Sequence, residues 1–78
     1  MRKFFTRVYN TYTGEITQLN FFANEEAAKE AFNASAKANA RNYGQPFWRM
    51  WTDKEGVTWC DYGSYCEFLQ WGKINGTN

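Results

Sequence analysis

The stretch "FWRMWTDKEGVTWCDY", residues 47 to 62, limits the fold more than any other part of the chain. Two β-rich runs flank "TDKEG", and Gly as the third residue of a hairpin loop supplies the left-handed conformation that such a loop needs. With Gly56 in that place, Asp53 pairs with Val57 and every further pair follows. Trp51 then meets Trp59, and Arg49 meets Asp61, on one face. On the other face Trp48 meets Tyr62, Met50 meets Cys60 and Thr52 meets Thr58. Aromatic, charge and threonine pairs of this kind contribute roughly 0.2–1 kcal/mol each. A slip by one residue destroys all of them together, so side chains and turn specify the same register.

Residues 4 to 22, "FFTRVYNTYTGEITQLNFF", carry the same signature with Gly14 in the loop. A three-residue loop Tyr12-Thr13-Gly14 sets Tyr9 against Thr17, Arg7 against Leu19 and Phe5 against Phe21. Phe4, Val8, Ile16 and Phe22 fall on the opposite face, and alternation alone does not choose between the faces. A helix follows. Asn24 is a good N-cap, Glu25 and Glu26 suit the positive end of the helix dipole, and Lys37 and Arg41 suit the negative end. Asn42, Gly44 and Pro46 provide the stop. Ala27, Ala31, Ala34 and Ala38 form a helical stripe, flanked by Ala28 and Phe32, that is expected to lie against the sheet.

"GSYCEFLQWGK", residues 63 to 73, admits two readings. Ser64 with Glu67 matches a helical capping box. Alternatively Gly63 marks a bend and the aromatic run continues as strand, which is the preferred reading. The order strand, strand, helix, strand, strand predicts an α+β domain with an antiparallel sheet and one Ala-rich helix packed on one face. Residues 1–74 are expected to form that single domain, with 75–78 a frayed tail.

Chemistry finds little support. The chain has no His, no Gly-rich phosphate loop and only two Cys, too few to complete a zinc site with ordinary partners. Asp53 and Glu55 read as turn residues rather than as a catalytic carboxylate pair. No enzyme activity, cofactor or metal is expected. "MRKFF" starts no apolar stretch of signal-peptide length and nothing approaches a membrane span, which predicts a cytoplasmic protein with Cys60 and Cys66 reduced.

Sixteen of the 78 residues are aromatic, and one slender helix covers only one face of the sheet. Rings left on the other face would form an apolar contact surface. Trp51 and Trp59, flanked by Arg49 and Asp61, are the leading candidates, with Trp71 as a further one. The competing arrangement turns Trp51 and Trp59 inward and Trp48, Met50, Cys60 and Tyr62 outward. Trp and Arg are the residue types that most often dominate binding energy at protein interfaces, so the first expectation is a protein-binding module. A homodimer through the same face is the same physics. The alternative is a single-strand nucleic-acid binder stacking bases on the sheet, but the net charge is only +1, and Asp53, Glu55, Asp61 and Glu67 oppose a phosphate backbone.

The phrase "WTDKEGVTWCDYGSYCEF" resembles aromatic hairpin phrases of small phage and prophage proteins, over residues 48 to 68. In size and layout the chain is similar to compact phage-made inhibitors, among them anti-CRISPR proteins. That resemblance implies an inhibitor acting in a bacterial host cytoplasm on a host protein or defence complex.

Overall fold

The strand nearest the C-terminus lies at the centre of the sheet. A computed structural model describes residues 3–39, 49–64 and 66–74. In chain order the elements are β1 (Phe4–Asn10), β2 (Ile16–Phe22), α1 (Glu25–Ala38), β3 (Arg49–Thr52), β4 (Thr58–Asp61) and β5 (Glu67–Lys73). All strand pairs are antiparallel, and the sheet order is β2-β1-β5-β4-β3. The fold is α+β, as expected, with β5 as a separate fifth strand after a bend at Gly63. Ser64 Oγ still accepts the Glu67 N–H at 3.3 Å, so the capping-box bond forms without a helix to cap. β5 is central, so Leu69 is buried under α1 on one face, and Gln70 is buried on the other among the side chains of the flanking strands, Arg7 and Trp59.

The β3–β4 hairpin has the expected register: Arg49 faces Asp61, Met50 faces Cys60, Trp51 faces Trp59 and Thr52 faces Thr58. The two threonine hydroxyls bond at 2.9 Å. Gly56 takes a φ of +87°, the left-handed value its loop position demands. The expected pairing of Trp48 with Tyr62 lies outside the described residues, as do the helix stop at 42–46 and the tail at 75–78.

The first hairpin differs from expectation. Its loop has four residues rather than three, because Asn10 N–H donates to the Glu15 carbonyl and the Asn10 side chain accepts from Tyr12 and Thr13 N–H. Val8 therefore faces Thr17 and Tyr9 faces Ile16, one place off the expected pairs. A bulge then sets Gln18 and Leu19 opposite Arg7, with Gln18 at a φ of +51°. That extra residue restores the expected Phe5–Phe21 pair at the far end.

Helix α1 starts as expected, with the Asn24 side chain accepting the Ala27 N–H at 2.8 Å. It ends earlier, where Asn39 takes the Ser35 carbonyl with both its backbone and its side chain. The buried face is Ala28, Phe32 and Ala36, so Ala34 and Ala38 of the expected stripe face solvent. Phe32 is the only large apolar side chain in the helix and sets its rotation; Ala28 and Ala36, one turn to either side, allow close approach. The core joins Phe32 and Ala36 to Val8, Cys60, Tyr62 and Leu69.

Candidate functional site

Register assigns every strand residue to a face. Val8, Leu69 and Cys60 lie in one row across β1, β5 and β4 and meet α1. Their alternates, Arg7 and Tyr9, Phe68 and Gln70, Trp59, and Trp51 on β3, therefore point to the other face. No element among the described residues packs on that face; α1 lies on the opposite side, mainly against β5, β1 and β2.

A ring cluster occupies it. Trp51 stacks on Trp59 with centroids 5.6 Å apart and planes 15° from parallel. Phe68 meets both indoles edge-on, at 6.1 Å and 5.7 Å, and Tyr9 meets Trp59 edge-on at 5.8 Å. The Arg49 guanidinium lies 4.8 Å from the Trp51 ring centroid, a cation–π contact. All four rings are half-buried, each screened by the others rather than by a second layer. Offset and edge-on contacts of this type hold the rings in place before anything binds.

The outward placement expected of Trp51, Trp59, Arg49 and Asp61 is what the fold gives. Trp71 falls elsewhere: it pairs with Thr6 and Thr58 in the helix-facing row, 6.5 Å from Phe32, and packs against the core. Tyr9, Phe68 and Gln70 were missed as parts of this face. The strand reading of 63–73 did not fix which residues face the helix; once Leu69 is known to lie in the core, alternation places Phe68 on the open face.

Polar groups on the face are held internally. Asp53 Oδ2 accepts the Trp59 indole N–H at 2.8 Å, and Oδ1 accepts Glu55 and Val57 N–H at 2.9 and 3.0 Å. The indole bond, helped by those backbone donors against some desolvation, holds the Asp53 carboxyl below its ordinary pKa. A depressed carboxylate stabilises the fold above its unfolded pKa of about 3.9, and that contribution is lost as pH falls through the lower folded value. The Trp59 indole N–H resonance should accordingly report a titration midpoint below 3.9 by NMR. A midpoint at or above that value would show that the bond does not hold in solution.

Arg7 donates its Nε–H to Gln70 Oε1 at 2.6 Å, and its guanidinium carbon lies 4.5 Å from the Phe5 ring centroid. Partial burial pulls the Arg7 pKa down, with Tyr9 opposing. Arginine stays charged through such shifts.

Both cysteines are free thiols. Burial, aided by the Asp61 charge, pushes the Cys60 thiol up to about 11. With so little thiolate at pH 8, Cys60 should resist iodoacetamide in the folded protein while the half-exposed Cys66 is alkylated. Mass spectrometry of the singly labelled protein would check this, and label on Cys60 first would contradict it. Among the described residues no three His, Cys, Asp or Glu side chains gather into a metal-binding group. No helix among them is long and apolar enough to cross a membrane.

No protein-family model, no curated protein and no solved structure matches this chain.

Proposed function

We propose that this protein is a non-catalytic binding module that docks on a larger protein through the open sheet face and blocks it. The observation that carries this reading is the Tyr9–Trp59–Trp51–Phe68 cluster with Arg49 stacked on its margin, on the face α1 does not cover. Indoles ordered before binding lose little conformational entropy on docking, and Trp and Arg anchors dominate interface energetics. The resemblance to compact phage inhibitors makes a bacterial host protein or defence complex in the cytoplasm the target to test first.

Tagged protein recovered from bacterial lysate, with and without nuclease, supplies the test. A protein partner that survives nuclease and is lost with Trp51→Ala is the expected result. Loss of every co-purifying species on nuclease treatment would sink the reading and favour base stacking on the same rings.

A further inference from the structure

Beside the ring cluster the open face is concave. A groove of about 360 Å³ runs along Phe5 between Leu19 and Phe21 on β2 and the Glu55–Val57 side of the β3–β4 turn. Phe5 and the turn come close to Gly72: a Cβ there would just touch the Phe5 ring, at 3.4 Å, and the Gly56 carbonyl, at 3.5 Å. Ring and turn close over β5 at this point and form one wall. The bulge at Gln18 and Leu19 builds the other, leaving Leu19 48% and Phe21 44% exposed.

Arg7 also lines this groove. Its bond to Gln70 and its stack on Phe5 fix the plane of the guanidinium, and among the described residues its Nη groups have no partner. An arginine fork so held is pre-organised for a carboxylate. The acids nearby do not compete for it: Asp53 is spent on its turn and on Trp59, Asp61 accepts the Gly63 N–H, and Glu55, the acid that lines the groove, makes no ion pair with Arg7 among the described residues. Asp53, Asp61 and Glu55 balance Arg7, Arg49 and Lys73 around the groove and the turn, which leaves no net positive charge to exert a long-range pull on a polyanion. One carboxylate beside an apolar group fits this arrangement, and a run of phosphates does not.

We infer that the groove receives an acidic segment of the partner protein, with an apolar side chain seated on Phe5, Leu19 and Phe21 and the adjacent Asp or Glu carboxylate on the Arg7 fork. The inference rests on the protein-binding reading and specifies the chemistry of the bound segment.

NMR titration of ¹⁵N-labelled protein with two peptides, acetylated and amidated Gly-Phe-Asp-Gly and Gly-Phe-Asn-Gly, tests it. The Asp peptide should shift the Arg7 Nε–H and the Leu19 and Gly72 amides, with the Asn peptide binding at least about tenfold more weakly. Leu19→Glu, a change at an exposed position that leaves the rest of the spectrum intact, should abolish the shifts. Equal shifts from both peptides, or none, overturn the inference, as do the same shifts produced by oligothymidylate at low salt. If Leu19→Glu captures the partner normally while Trp51→Ala does not, the groove assignment falls and the binding face stands. If the Asp peptide binds as expected but Trp51→Ala leaves capture intact, the groove stands and the ring cluster is not the docking site.

Discussion

Phe32→Ala is expected to leave about half or more of the molecules unfolded at room temperature. The Phe32 side chain is 1% exposed and is the one large group that α1 inserts into the core, beside Val8, Leu69 and Trp71. Truncating a buried Phe costs about 3–5 kcal/mol, counting both lost transfer energy and the cavity left behind. A domain of this size draws only about 3–5 kcal/mol of net stability from a single core. The loss therefore matches the whole margin. The neighbouring Ala28 and Ala36 are already buried and have no longer side chain to move into the gap. Ala34→Ser, on the solvent side of the same helix, should change stability by less than about 0.5 kcal/mol. Urea unfolding followed by circular dichroism measures both. A Phe32→Ala protein with a cooperative transition near that of the parent would show that α1 is not what closes the core.

That contrast also shows how far the helix was legible. Asn24 and the acidic first turn announced its start, since capping is local chemistry between residues three apart. Its rotation was misread because a stripe of four alanines outnumbers one phenylalanine in a pattern count, whereas burial energy scales with area. A single Phe outweighs the stripe.

The hairpins divide in the same way. In β3–β4 turn and side-chain pairs agreed, and the register came out whole. In β1–β2 the Asn10 side chain replaced the expected loop by a longer one, and the chain compensated with a bulge at Gln18. A local pattern shows the loop signature but not the competition between two loops that differ by one residue. The central place of β5 is less legible still. Its pairing with β1 joins Phe4 to Lys73 across most of the chain, and no local signal encodes that contact. The clue was a run with large groups on both faces, "EFLQW", which suits a central strand whose side chains have neighbours on either side. This is also why Trp71 was grouped with the outward indoles: without the row of partners across β5, its parity was unknown.

Trp51→Ala should weaken partner binding by about 30-fold or more while the protein stays folded. The size follows from the 2 kcal/mol or greater cost of truncating a Trp anchor at an interface centre. The tolerance follows from position. Trp51 lies on the edge strand β3, so its removal costs the stacked pair with Trp59, worth about 0.5–1.5 kcal/mol beyond its buried area, but opens no hole in the core. Trp59 is a poorer probe, because it touches Tyr9, Trp51 and Phe68 and bonds to Asp53, and its loss would disturb the face and the turn together. Met50 supplies the matched control. It is the adjacent residue on the same strand, 38% exposed, and faces the helix side opposite Cys60. Met50→Ala should bind within about threefold of the parent, a difference below 1 kcal/mol. Calorimetric titration of the purified partner with each variant measures the three affinities under one condition. Should Met50→Ala weaken binding as much as Trp51→Ala, the partner sits on the helix side or clasps the β3 edge, and the indole cluster serves only to shield the centre of the sheet.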